Sequence, residues 1–330
     1  MLWLHIGMPK TGTTALQGFI RGNEKALSQG GLRYMHAGRK RESDRRPKIS
    51  HNMIAFDLNG SGEAVAEIKE AMAGEYTQYR EGTCLVSSEM FYSVDMTELA
   101  RIFADIPKDE MRVTFYCRRY SDFFEADYKQ RAKNGRLAPG GTAYIRQRLK
   151  AIEDAPQTYT FTGAARRVRA AFPDVEVVPM LYDRAEMVNG NVIDDFLTRI
   201  SVPIPDTLST DSPSNPSLSR PASEAFGIVS RAMGRQKSRQ LRRSVLEDPT
   251  LYRRHDVLEP SEREWLDGYL AEHDAEFQTE FFPERATLFA PTELDEAATQ
   301  FRRDTPEETE ALRRASEIVF RLALESGTQG

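Results

Sequence analysis

The chain has little sulfur chemistry to offer. Its two cysteines, Cys84 and Cys117, both sit inside apolar runs that read as buried strands, so a disulfide framework is excluded and two reduced core thiols are expected. It also lacks a long apolar run. The N-terminal stretch Leu2, Trp3, Leu4, Ile6 is interrupted at once by Gly7 and Pro9, too short for a signal-peptide core or a membrane span. A cytoplasmic protein is expected. An excess of positive charge is missing as well: 45 Lys and Arg against 50 Asp and Glu give a net charge of -5, which argues against nucleic acid or an anionic membrane as a general partner. His36, His255 and His273 show no metal-ligand spacing with one another or with the cysteines, so no metal site is predicted, and there is no internal repeat.

What is present is ample for a buried core: 330 residues, 40% hydrophobic and 29% charged. Short apolar runs at residues 2–6, 83–88, 112–117 and 175–181 alternate with segments of helical spacing. This pattern predicts a P-loop-like α/β fold with a doubly wound parallel sheet and helices on both faces. The first helix is expected to run to Gly30-Gly31. Residues 32–50, rich in Arg and Lys (Arg39, Lys40, Arg41, Arg45, Arg46, Lys48), read as a surface loop. An α/β core over 1–205, a Pro- and Ser-rich linker over 206–221 and a helical C-terminal region over 222–330 complete the expected organisation. The final amphipathic helix reads as an appendage or an oligomer contact. A basic cluster at 231–243 reads as a solvated helix face or as a segment that closes over a bound anion.

The chemistry is concentrated in the first twenty residues. An apolar strand runs into Gly7-Met8-Pro9-Lys10-Thr11-Gly12-Thr13-Thr14, and a helical pattern with Leu16, Phe19 and Ile20 follows directly. A loop between a buried strand and a helix can aim several backbone N–H groups and the positive end of a helix dipole at one point, an anion cradle to which Lys10 adds a full charge. The ATP-binding loop G-x-x-x-x-G-K-[ST] shares the glycine spacing. Here, however, Thr13 occupies the lysine position, and Lys10 precedes Gly12. That substitution excludes the usual nucleotide-triphosphatase reading.

Residues Leu4 to Gln17 closely resemble the 5′-phosphosulfate loop of sulfotransferases that use 3′-phosphoadenosine 5′-phosphosulfate (PAPS). The resemblance implies that Pro9, Lys10, Thr11, Gly12, Thr13 and Thr14 hold the 5′-phosphate, with Lys10 also contacting the bridging oxygen of the leaving group. It further implies that an arginine ending a later strand binds the 3′-phosphate together with a serine about eight residues on. Tyr116-Cys117-Arg118-Arg119 matches the arginine, but the position eight after Arg118 is Ala126, and Ser121 lies nearer than the pattern requires. Val177 to Arg184, followed by Asp195-Phe196-Leu197, is similar to the late strand-loop-helix of bacterial sulfotransferases, where a structural role is implied.

Sulfuryl transfer to a hydroxyl or amine needs a base within hydrogen-bond reach of the acceptor. Glu89, ending the strand Cys84 to Ser88, is the first candidate, and His51, placed after a basic loop and before a helix, is the second. His5, inside the first strand, reads as a satisfied core histidine. The acceptor class implied is a carbohydrate, glycolipid or small metabolite, with PAPS as co-substrate and no metal. Two other functions fit parts of the sequence: an ATP-dependent P-loop kinase variant, and a non-catalytic binding protein that keeps the fold.

Overall fold

The computed structural model describes residues 1–40, 45–60, 62–137, 141–210, 217–233, 235–303 and 305–328. Arg41 of the basic loop, residues 211–216 of the Pro- and Ser-rich segment and the side chains of Arg235 and Lys237 lie outside this description. Along the chain, β1 (Leu2–His5) leads to α1 (Thr13–Gly22) and α2 (Glu24–Gln29). β2 (Leu32–Tyr34) leads to α3 (Asn52–Leu58) and α4 (Val65–Tyr79), and β3 (Thr83–Ser87) to α5 (Met96–Ile102). β4 (Met111–Cys117) is followed by α6 (Tyr120–Lys133), α7 (Thr142–Asp154), α8 (Pro156–Tyr159) and α9 (Phe161–Ala171), and β5 (Glu176–Leu181) by α10 (Val192–Arg199). Then come α11 (Arg220–Met233), α12 (Arg235–Glu247), α13 (Pro260–Tyr269), α14 (Ala271–Phe281), α15 (Glu296–Thr299) and α16 (Pro306–Thr328). Among the described residues no helix is long and apolar enough to cross a membrane.

The five strands form one all-parallel sheet in the order β2-β3-β1-β4-β5. Alternation of side chains across the pleat assigns the two faces. Trp3, Leu85, Tyr116 and Met180 share a core cluster with Leu16 and Ile20 of α1 and Phe196 and Leu197 of α10. Phe115, next to Tyr116 and so directed to the opposite face, meets Phe277 of α14, which in turn meets Phe161 of α9. Helices therefore cover both faces. The central strands β1, β3 and β4 are accordingly buried almost without interruption and mostly apolar, as parallel strands covered on both sides must be.

The chain folds into two compact units. The first comprises Met1–Arg118, Ala155–Pro213 and His273–Phe289 and contains the sheet. The second comprises Arg119–Asp154, Ser214–Glu272 and Ala290–Gly330 and is helical. Its core joins Ala222, Phe226 and Val229 of α11 to Leu241 and Val245 of α12 and Val319 of α16. α6 and α11 approach so closely that a Cβ on Gly227 would lie 1.8 Å from the Ala132 carbonyl oxygen. Buried ions in this unit are paired, Lys129 with Asp256 at 2.5 Å and Arg263 with Glu125 at 3.0 Å. Arg239, Arg242 and Arg243 of the basic cluster are exposed on α12.

Two local expectations are corrected. The first helix does not run unbroken to Gly30: at Asn23 the backbone N–H turns back to the carbonyls of Phe19 and Ile20, the side chain donates to the Phe19 carbonyl at 2.9 Å, and α2 starts afresh. Residues 32–50 are not only surface. Leu32–Tyr34 adds β2 to the sheet edge, and Arg39 is wholly buried. The Arg39 guanidinium donates to the carbonyls of Met35, Tyr34 and Lys48 at 2.7–2.9 Å, pairs with Glu24 at 2.8 Å and lies 3.7 Å from the centre of the Tyr34 ring. Those partners are what allow a charge that reads as solvent-facing to be internal.

Candidate functional site

In an open parallel sheet, ligands collect at the carboxyl ends of neighbouring strands whose onward connections leave in opposite directions. The chain leaves β1 towards β2 on one side and β4 towards β5 on the other, while β1 and β4 are themselves paired. The crevice therefore opens between the loop after β1 and the residues after β4, which are Ile6–Gly12 and Arg118.

Three residues of the first loop have left-handed backbone: Gly7 at φ +41°, Lys10 at +66° and Gly12 at +74°. Thr11, between the last two, has negative φ, and alternation of this kind turns successive N–H groups to one side, as in anion-binding nests. Gly7 is required by proximity as well as by φ. A Cβ there would lie 2.8 Å from the Glu89 Cα, so the loop rests on the backbone at the end of β3. The buried Thr11 hydroxyl donates to the Met8 carbonyl at 2.7 Å and tightens the turn. Gly12 begins α1, with no side-chain cap and no acidic residue in the first turn, so the helix end keeps its affinity for an anion. Thr13 is buried, and its hydroxyl oxygen has no hydrogen-bond partner among the described residues.

Arg118 follows β4 directly. Its Nη1 donates to the Lys10 carbonyl at 2.7 Å, and its guanidinium lies 5.3 Å from the centre of the Tyr182 ring. Tyr182 follows β5 and covers Gly12, where an added Cβ would come within 3.2 Å of the ring and 3.0 Å of Val192 Cγ1. Its ring stands edge-on to Tyr116 at 6.1 Å, and the Tyr116 hydroxyl donates to the buried Asp195 at 2.8 Å. Tyr182 thus belongs to the loop's walls, as its position at a strand's carboxyl end leads one to expect, whereas the resemblance implies only a structural part for its segment. Its place directly after a strand was the available signal.

Glu89 is exposed and starts a 3-10 turn, Glu89–Ser93, whose cap is Ser88. The Ser88 hydroxyl accepts from Met90 N–H at 3.1 Å and donates to Asn52 Oδ1 at 2.6 Å. Among the described residues Glu89 has no ion-pair partner, so its carboxylate is not committed to an arginine. His51 lies differently. It is fully buried, its Nδ1 accepts the Ser87 N–H at 3.0 Å, and its Nε2 lies 3.1 Å from the Met35 carbonyl. The tautomer assigned by these bonds carries its proton on Nε2 and satisfies both nitrogens. Burial, with the nearby Arg39 charge, pushes its pKa well below the ordinary value. His51 joins the end of β3 to the residue after β2.

His5 is a core residue, yet only half satisfied. Its Nδ1 lies 2.8 Å from Ser87 Oγ, which also accepts from Gln17 Nε2 at 3.0 Å, while Nε2 has no partner among the described residues. Burial lowers its pKa to about 4. In the second unit, the Ser121 hydroxyl donates to Asp267 and accepts from Arg263, each at 2.9 Å, and Ala126 is half-buried on α6. The structure thus brings Gly7, Lys10, Gly12, Thr13, Arg118 and the Glu89 backbone together, with Tyr182 added, and sets His51 into the core beside Ser87. Among the described residues no group of three His, Cys, Asp or Glu side chains could hold a metal ion.

No protein-family model matches the chain, and no solved structure matches it significantly. Over 135 residues, 41% of the chain, it is 27% identical to an uncharacterized protein of Archaeoglobus fulgidus, and the match spans 34% of that protein's length.

Proposed function

We propose that this protein is a sulfotransferase that moves a sulfuryl group from PAPS to a hydroxyl or amine of an acceptor. The observation that carries the reading is the loop Gly7–Thr14, with its left-handed turns at Lys10 and Gly12, uncapped helix end and buried, unpartnered Thr13 hydroxyl. An uncapped helix end and a buried hydroxyl with no partner among the described residues fit a phosphate carrying further negative charge.

PAPS supplies the activated sulfuryl group and a good leaving group. The rest falls to the protein. Backbone N–H groups of the loop and the Thr13 hydroxyl bind the 5′-phosphate, and Lys10 neutralises charge as the bond between sulfur and the bridging oxygen breaks. The acceptor oxygen or nitrogen attacks sulfur in line, and its proton goes to the exposed Glu89 carboxylate, whose backbone is packed on Gly7. His51, with both nitrogens engaged, holds the end of β3 on which Glu89 is mounted. Arg118 remains the residue proposed for the 3′-phosphate. The Ser121 hydroxyl is committed to Asp267 and Arg263, so the serine's part is not assigned. Carbohydrate, glycolipid and small metabolite acceptors all suit this chemistry.

Thermal unfolding with 3′-phosphoadenosine 5′-phosphate, with ATP and magnesium, and without ligand tests the reading. At a hundredfold excess over Kd the bisphosphate should add about 2.7 kcal/mol of stability. A rise with magnesium-ATP alone would favour a kinase, and no response to either nucleotide would favour a binding protein.

A further inference from the structure

The bonds made by Arg118 reach further than a second phosphate. Resting on the functional reading above, we infer that Arg118 and Tyr182 form a clamp that holds the anion loop in its left-handed turn, and so act as positioning residues for the 5′-phosphate end of the nucleotide.

Lys10 is a non-glycine residue at φ +66°, a conformation that an L side chain leaves unless something holds it. The turn is closed from within by the Thr11 hydroxyl on the Met8 carbonyl at 2.7 Å and held from outside by Arg118, whose Nη1 donates to the Lys10 carbonyl at 2.7 Å. The Lys10 carbonyl and the Thr11 N–H belong to one planar trans peptide and point in opposite directions. Fixing the oxygen on Arg118 therefore fixes the plane of that peptide, and with it the Thr11 N–H inside the turn that Met8 to Thr11 closes. If Lys10 relaxed to negative φ, the oxygen would leave Arg118 and the N–H would lose its direction.

Tyr182 completes the clamp from two sides. It offers the Arg118 guanidinium an aromatic face, 5.3 Å from ring centre to Cζ, and it covers the second left-handed residue, Gly12. The ring cannot swing freely, because Tyr116 stands edge-on to it and is itself anchored through its hydroxyl to buried Asp195. Arginine suits this task better than lysine. A planar guanidinium can stack on a ring and direct an in-plane N–H at a carbonyl at the same time, which an ammonium group cannot do.

The test uses the full chain and two readouts. The first is amide hydrogen exchange of the segment 7–14 in the unliganded protein, for wild type, Arg118→Lys, Tyr182→Leu and Tyr182→Phe. Exchange should quicken in Arg118→Lys and Tyr182→Leu, and Tyr182→Phe, which keeps the ring, should restore much of the protection lost in Tyr182→Leu. The second is calorimetric titration with 5′-AMP, which has no 3′-phosphate, so any loss must arise at the 5′ end. Arg118→Lys should weaken it about tenfold. Exchange unchanged in Arg118→Lys would overturn the clamp, as would a variant that loses affinity for the 3′,5′-bisphosphate while binding 5′-AMP as wild type does. If wild type bound neither nucleotide, the sulfotransferase reading would fall, and the exchange data alone would decide the clamp.

Discussion

Lys10 brings together a positive charge and a left-handed backbone, and the two can be separated by mutation. Lys10→Ala keeps the loop but removes the ammonium proposed to neutralise the departing phosphate. At saturating PAPS its sulfuryl transfer should fall by roughly 10²–10³-fold, the scale seen when one preorganised donor to a developing charge is lost. Full transfer by Lys10→Ala in a radiolabelled sulfate assay would contradict the role. The buried histidines make a different prediction. The pKa of His5 is about 4 and that of His51 lies well below its usual value in the folded chain, so on acidification the unfolded chain binds protons first. The stability these residues provide is complete above about pH 6.5 and is lost as pH falls towards 4, at up to ~1.4 kcal/mol per pH unit for each histidine. His36 and His255 shift in the same direction. Denaturant midpoints should therefore drop between pH 7.5 and pH 5, and the drop should be smaller in His51→Gln. Equal slopes for the two proteins would show that His51 titrates normally. The loop's residue types were legible in the sequence because each one answers to local backbone geometry. The burial of His51 was not, since a histidine after a run of arginines gives no sign that Ser87 and Met35, distant in sequence, will satisfy both its nitrogens.

At the scale of elements, the sites where backbones nearly touch are the most exposed to substitution. Gly7→Ala would place a Cβ 2.8 Å from the Glu89 Cα on a residue at positive φ. A left-handed penalty of about 1–2 kcal/mol adds to overpacking of about 1–3 kcal/mol. The expected result is a lowered melting temperature together with weaker nucleotide binding, and an unaltered melt would mean that the loop does not rest on β3 in solution. Gly227→Ala strikes the crossing of α6 and α11, where the Ala132 carbonyl leaves no space, and should destabilise the helical unit by several kcal/mol without touching the loop. A variant as stable as wild type by chemical denaturation would contradict that crossing. The four long strands were readable from apolar runs because parallel strands buried on both faces need them. β2 was hidden for the opposite reason. It has three residues, lies at the sheet edge, and carries Arg33 between Leu32 and Tyr34, while the following arginines suggest solvent. The break between α1 and α2 depends on one asparagine bonding back to Phe19, a local event that periodicity does not register.

At the scale of the whole molecule, the chain passes between its two units five times, after residues 118, 154, 213, 272 and 289. The unit that contains the sheet is therefore not one continuous piece of sequence. A fragment of residues 1–205 would lack Phe277, which is fully buried and meets both Phe115 and Phe161. Removing even one such ring costs about 3–5 kcal/mol, a large part of a domain's stability, so the fragment should lose its cooperative melt by circular dichroism. A sharp melt close to that of the full chain would count against this. The same interleaving bears on how the protein is made. The loop Gly7–Thr14 and the five strands lie within residues 1–181 and leave the ribosome before the segment 273–289, whose Phe277 meets Phe115. Throughout that interval Phe115 and Phe161 lack the Phe277 ring between them, the stage at which a chaperone has the most to hold and an aggregate the most to recruit.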